Sequence, residues 1–65
     1  MTINDAFNQV RRDQVLSILS DNALVTACEG HWYDDHMQSF RRKHGREHCE
    51  LVSESEKKME VRLYK

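Results

Sequence analysis

The stretch MEVRLYK, residues 59–65, alternates apolar and polar side chains almost without interruption. A period of two places every second side chain on the same face, which is typical of a half-buried strand. We expect HCELVS, residues 48–53, to be its antiparallel partner. The polar, charged residues 54–58 suit a connecting loop. The sequence therefore predicts a C-terminal β-hairpin near residues 47–64.

Upstream of the hairpin, the period of the pattern changes to that of a helix. Side chains that can face a core recur at the spacing i, i+4, i+7 and i+11, at Tyr33, Met37, Phe40 and His44. This spacing defines one face of a helix. Basic residues occupy the end of the segment, where cations complement the helix dipole. We predict a helix over residues 34–44, ended by Gly45 in the left-handed conformation.

The N-terminal third contains two apolar sets whose spacing also fits a helix. Thr2 can cap the first backbone N–H groups, and Asp5 follows three residues later. The simplest interpretation is one helix over residues 3–20, and the alternative is a kinked helix or two short helices. Residues 23–28, ALVTAC, are too few for periodicity to separate a strand from a buried helix, and we assign a strand because Val and Thr favour it.

These segments together predict an α+β fold in the order α-β-α-β-β. Two helices packed on one face of a small antiparallel sheet would bury all the apolar stripes at once. Sixty-five residues allow one domain, which spans residues 1–65. Eight apolar side chains are expected in the core: Phe7, Val10, Leu19, Met37, Phe40, Leu51, Val61 and Leu63.

The composition narrows the class of protein. A hydrophobic fraction of 38% beside a charged fraction of 32% is typical of a globular chain. A net charge of −1 counts against a dedicated nucleic-acid binder, because phosphate neutralisation supplies most non-specific affinity. Without an apolar run of membrane-spanning length or an export signal, we expect no membrane association and a cytoplasmic location. Cys28 and Cys49 should then stay reduced.

The most specific spacing in the chain is Cys28-x2-His31-x12-His44-x3-His48, with Cys49 as the alternative last position. It resembles the spacing of a zinc finger in which His replaces the second Cys. Gly45 is expected to end the helix inside this pattern, whereas a finger needs its helix to continue. Asp35 and Arg41 occupy the positions at which that family has apolar core residues. We therefore expect no cofactor, and a zinc-stabilised domain is the alternative. Its candidate ligands are Cys28, His31, His44 and His48 or Cys49.

The strongest basic cluster lies at the predicted end of the second helix. On a helix followed by a hairpin, it resembles winged-helix proteins in architecture, without a diagnostic motif. That resemblance implies a DNA-binding transcriptional regulator, but it needs residues 3–20 to be split into two helices. The other interpretation is a solvated helix end that complements the dipole. The candidate nucleic-acid contacts are Arg41, Arg42, Lys43 and Arg46.

The sequence contains no phosphate-cradling Gly loop and no Gly-x-Ser-x-Gly motif. We expect a small non-enzymatic protein that docks on a protein partner and regulates or inhibits it. Chains of this kind are common among phage and mobile-element accessory proteins, an analogy that rests on size. Aromatic side chains anchor many protein interfaces. The expected partner-binding residues are Trp32, Tyr33, Val61 and Tyr64.

The C-terminal strand has one obvious neighbour, residues 48–53, and its other side can form an open edge. Open edges recruit further strands. We therefore hypothesise a homodimer or a partner complex that uses the edge of residues 59–65 together with the aromatic segment Trp32–Tyr33. The alternative is a monomer in which residues 23–28 cover that edge.

Overall fold

The structure, a computed structural model, describes residues 1–64 of the chain. Its element order is α-β-β-α-β-β, which confirms the predicted α+β class. Lys65, the last residue of the predicted terminal strand, lies outside the described residues. The elements are α1 (Ile3–Gln9), β1 (Val15–Leu19), β2 (Thr26–Gly30), α2 (Asp35–His44), β3 (Cys49–Glu54) and β4 (Lys58–Leu63).

The four strands form one mixed sheet in the order β2-β1-β4-β3. The pairs β1–β2 and β3–β4 are antiparallel, whereas the central strands β1 and β4 run parallel. The prediction of an antiparallel sheet is therefore wrong at the central pair. A parallel pair needs a long crossover connection, and here β2, α2 and β3 supply it.

The parallel register defines two ends of the sheet. At the end that we call lower, Val15 lies beside Lys58, and at the upper end Leu19 lies beside Arg62. Gly30, the last residue of β2, pairs near the start of β1. The segment that follows β2 therefore lies at the lower end. The β1–β2 connection and the residues after β4 lie at the upper end.

The core lies between the two helices and one face of the sheet. Leu16 pairs with Met59 and Ile18 with Val61, so these four side chains point to the same side. The helices cover them with buried side chains of their own, and all the buried apolar residues form one cluster. Its helical members are Ile3, Ala6, Phe7 and Met37.

The predicted core is half correct. Four of its eight side chains are buried, namely Phe7, Val10, Met37 and Val61. Leu19, Phe40 and Leu63 are only partly buried, and Leu51 on the edge strand β3 is 48% exposed. Truncation of Phe40 should therefore cost less than the roughly 3–5 kcal/mol expected for a fully buried ring.

The predicted helix over residues 3–20 is wrong beyond its first two turns. The capping box of Thr2 and Asp5 starts α1 as expected, but the chain becomes extended at Val10. The Gln14 side chain then accepts from the backbone N–H of Arg11 at 2.8 Å and stabilises a turn. Residues 15–19 continue as β1, so neither one long helix nor two short helices forms.

Burial on both faces explains why β1 was mistaken for a helix. Its core face carries Leu16 and Ile18, and its other face carries Ser17, which is also buried. A strand covered on both sides has no polar alternation, and its apolar residues can then match a helical period. On that second face, Glu29 and Glu60 flank Ser17 in register.

The strand assigned to residues 23–28 lies three residues further along, at β2. Residues 20–25 instead form the connection between β1 and β2. The predicted helix at 34–44 and hairpin at 47–64 are both confirmed as α2 and as β3–β4. Within residues 1–64, neither helix is long and apolar enough to cross a membrane.

Gly45 follows α2 with φ −58° and ψ −29°, so the predicted left-handed terminator is wrong. The reason for a glycine is close approach. A Cβ at this position would lie 2.6 Å from the Arg41 carbonyl oxygen and 2.6 Å from the Asn4 side-chain oxygen. The backbone N–H of Asn4 also donates to the Gly45 carbonyl at 2.9 Å. Gly45 thus lets the start of α1 contact the end of α2.

The proposed open edge at residues 59–65 is also wrong. β4 pairs with β1 on one side and with β3 on the other, so it is an inner strand. The strand that covers it is β1, which the sequence pattern assigned to a helix, and not residues 23–28. The edges of the sheet, as far as residues 1–64 define it, are β2 and β3.

Candidate protein-docking surface

The predicted aromatic anchors Trp32 and Tyr33 lie at the lower end of the sheet, directly after β2. Tyr33 is exposed and stacks on His31, with ring centroids 5.2 Å apart. The Trp32 ring meets Tyr33 edge-on at 5.5 Å and is partly buried against the core. Arg12 lies over the Tyr33 ring, 5.6 Å from its centroid. These contacts hold Tyr33 in place at the surface.

The other two predicted partner-binding residues do not join this cluster. Val61 is fully buried in the inner strand β4, so it offers no surface to a partner. Tyr64 is exposed but follows β4 at the upper end, where its backbone N–H donates to the carbonyl of His48. The sequence prediction therefore combined one buried residue with exposed residues at opposite ends of the sheet.

The most exposed aliphatic side chains of residues 1–64 lie in the β1–β2 connection, residues 20–25, which we call the upper loop. Leu24 is 83% exposed and Val25 is 62% exposed. Ala23, directly before them, has φ +61°, a left-handed conformation that non-glycine residues adopt only at a cost.

Side-chain hydrogen bonds hold the upper loop in this conformation. The Asn22 side-chain oxygen accepts from the Ser20 hydroxyl at 2.7 Å and from the backbone N–H of Leu24 at 3.0 Å. The Ser20 backbone N–H donates to the Val25 carbonyl at 2.7 Å. Asn and Ser side chains stabilise turns in this way. Leu24 and Val25 are thus presented by an ordered turn.

Arg62 connects the upper loop to the rest of the upper end. Its guanidinium donates to the Asp21 carbonyl at 2.6 Å and to one carboxylate oxygen of Glu50 through two nitrogens. The same guanidinium lies 5.8 Å from the centroid of the Tyr64 ring. Hydrogen bonding by Arg62 lowers the pKa of Glu50 below its ordinary value, and the Tyr64 hydroxyl contributes a further bond.

The basic cluster borders an open concavity of about 600 Å³ where α2 ends. Arg41 is partly buried and is held in place, since it donates to Asn4 at 3.0 Å and to Asn8 at 3.2 Å. The other three cations of the cluster are exposed. The residues around the concavity are Asn4, Gln38, Arg41, Arg42, Lys43, Gly45, Arg46 and Glu47.

The structure does not bring the candidate zinc ligands together. Cys49 is buried in the core, while the Cys28 thiol lies 3.3 Å from the sulfur of Met37. His31 stacks on Tyr33 at the lower end, and His44 at the end of α2 contacts the Glu47 carboxylate. His48 is exposed at the upper end. In the part of the chain that the structure describes, no three His, Cys, Asp or Glu side chains form a metal-binding group.

The winged-helix resemblance also fails, because the hairpin β1–β2 separates α1 from α2. No pair of consecutive helices within residues 1–64 can form a helix-turn-helix. The four basic residues predicted as nucleic-acid contacts do gather around one concavity, as their shared helix end requires.

The sequence pattern does not identify Leu24 and Val25 as exposed residues, because it assigns residues 23–28 to a mostly apolar strand. The signal that could have identified them is Ser20-Asp21-Asn22, which has turn chemistry and stands between two short apolar runs. Taken as a hairpin turn, it would have placed both residues near the tip.

Comparisons of the chain with protein families, with curated proteins and with solved structures find no match.

Proposed function

We propose that this chain is a small regulatory protein that docks on a partner protein through its upper end and modulates or inhibits that partner. The observation that carries the proposal is the upper loop, in which Leu24 and Val25 are the most exposed aliphatic side chains. The proposal includes no catalytic step, and the sequence contains neither a phosphate-cradling Gly loop nor a Gly-x-Ser-x-Gly motif.

Order in the upper loop is what makes it suited to binding. A loop whose backbone is already held in one conformation loses less conformational entropy when a partner covers it than a mobile loop would. The bonds from Asn22 and Ser20 supply that order, and Arg62 anchors the loop to the sheet. The left-handed Ala23 is a strained position of the kind found at functional sites.

The size of the upper end agrees with a docking role. The chain exposes 4306 Å² in total, and a standard interface covers about 800 Å² on each partner. Such an interface would therefore occupy about a fifth of this surface. Tyr64 adds an aromatic group to the same end as Leu24 and Val25, with the Arg62–Glu50 pair as a polar neighbour.

Capture from a lysate of the native source tests the proposal. Leu24→Asp should lose at least one protein that the wild-type chain retains, because a carboxylate cannot enter an apolar pocket without a large desolvation cost. Val52→Asp on the edge strand β3 is the matched control, since Val52 is also an exposed aliphatic residue. Both variants should melt within a few degrees of wild type. Identical capture by Leu24→Asp and wild type would contradict the proposal.

A second candidate function is nucleic-acid binding at the concavity. The observation that favours it is the convergence of four cations there. Retention on DNA resin that falls steeply with salt would support it. Elution at low salt, together with an unchanged profile after Arg42→Gln, would exclude it.

A further inference from the structure

The concavity at the end of α2 has a strongly positive lining. Four cations and the Glu47 carboxylate give its lining a charge of +3. The whole chain has a charge of −1, so the remaining residues carry −4. Positive charge is thus concentrated on one small surface of a chain that is otherwise acidic.

The side chains around the concavity suit an anionic peptide. Arg42 and Arg46 are exposed and can each form a forked pair with a carboxylate. Gln38 and Asn4 also line the concavity. The side-chain oxygen of Gln38 and the side-chain nitrogen of Asn4 can bond to a peptide backbone, while the other polar atom of each amide bonds within the chain. Arg41 supports the site, because its bonds to Asn4 and Asn8 keep the α1–α2 junction closed.

We infer that the concavity binds a short acidic segment, rich in Glu or Asp, of the docked partner protein. This inference rests on the proposed docking function. The concavity belongs to the same end of the molecule as the upper loop, since residues 45–47 lead into β3 at the upper end. The whole molecule measures 28 × 24 × 19 Å, so one partner can cover both surfaces.

Two observations favour an acidic protein segment over nucleic acid. Among the residues that the structure describes, the lining contains no aromatic side chain on which an unpaired base could stack. The long phosphate backbone of a nucleic acid would also approach the residues that carry the −4 charge of the rest of the chain. A short acidic protein segment need not contact those residues.

Titration of the ¹⁵N-labelled chain with an end-blocked hexaglutamate peptide, at physiological ionic strength, tests the inference. We expect the amide signals of residues 38–47 to shift. The triple variant Arg42→Gln/Lys43→Gln/Arg46→Gln should weaken this binding about tenfold. Arg41 is left in place because it holds the two helices together.

A control variant with the same change in net charge separates a built site from general attraction. Arg11→Gln/Arg12→Gln/Lys57→Gln removes three exposed cations next to the starts of β1 and β4, at the lower end. It should bind hexaglutamate within about twofold of wild type, because charges distant from the site are screened by salt.

Two results would overturn the inference. One is equal weakening in the two triple variants, which would show diffuse electrostatic attraction. The other is tighter binding of a short DNA duplex, which would shift the same amide signals at a lower concentration of negative charges than hexaglutamate needs. That result would identify the concavity as a nucleic-acid site. The capture experiment with Leu24→Asp is independent of this titration, so failure of the acidic-segment site can be distinguished from failure of the docking function.

Discussion

Replacement of Gly45 by alanine sets two physical effects against each other. The residue has φ −58° and ψ −29°, an α-helical conformation in which alanine is favoured over glycine by roughly 0.5–1 kcal/mol. The added Cβ would lie 2.6 Å from both the Arg41 carbonyl oxygen and the Asn4 side-chain oxygen. Backbone propensity alone therefore predicts a more stable protein, and packing predicts a less stable one.

The packing effect should be the larger. Relief of the contact with Asn4 requires α1 and α2 to move apart, and relief of the contact with the Arg41 carbonyl requires the last turn of α2 to shift. Overpacking of this kind costs about 1–3 kcal/mol. The movement would also weaken the bonds from Asn4 N–H to the Gly45 carbonyl and from Arg41 to the Asn4 oxygen. Each such bond contributes about 1 kcal/mol. We expect Gly45→Ala to lower the free energy of unfolding by about 1–3 kcal/mol.

Urea unfolding followed by circular dichroism measures this change. With a slope near 1 kcal/mol per molar urea, the midpoint should fall by about 1–3 M. Lys43→Ala, at an exposed position of the last turn of α2, is the control and should change stability by no more than about 0.5 kcal/mol. Asn4→Ala combined with Gly45→Ala should cost less than the sum of the single changes, because one clashing group is gone. A Gly45→Ala protein that is more stable than wild type would show that backbone propensity outweighs the packing contacts at this position.

Three further predictions concern other parts of the molecule. Within residues 1–64, the buried Ser17 hydroxyl has no hydrogen-bond partner, so Ser17→Ala should raise the free energy of unfolding by about 1 kcal/mol. Thermal unfolding measures this change, and a loss of stability would show that the hydroxyl is bonded. Burial raises the pKa of both thiols, and Cys49 is the more buried of the two. A maleimide should therefore modify Cys28 first in the folded protein, and equal rates at the two thiols would contradict the deeper burial of Cys49. The Arg62 pair lowers the pKa of Glu50, so its stabilisation is present above the ordinary carboxyl pKa and is lost as the pH falls through the lowered value. Acid titration of Glu50→Gln should therefore show a shallower loss of stability below about pH 4 than wild type. An unchanged profile would show that the Arg62–Glu50 pair does not contribute to stability.

The parts of the fold that the sequence predicted correctly are those with a single clear period. Residues 34–44 have one apolar face and become α2, and residues 59–63 alternate strictly and lie within β4. The segment 15–19 is buried on both faces, so its pattern carried no strand signal. Its parallel pairing with β4 joins residues about forty positions apart, and no local pattern encodes such a contact.

The candidate site was harder to predict than the fold. The basic cluster was found because its four members are close in sequence and share a helix end. The upper loop was missed because Leu24 and Val25 look like core residues until the strands on either side are known. Val61 was assigned to an interface because the position of β1 beside β4 was not foreseen.

Site-directed photocrosslinking tests the docking proposal most directly. A benzophenone amino acid would replace Leu24 in one version of the chain and Val52 in another, both expressed in the native source. We expect irradiation to give a discrete protein adduct from position 24 and a much weaker one from position 52. No protein adduct from position 24, or equal adducts from both positions, would contradict docking through the upper loop.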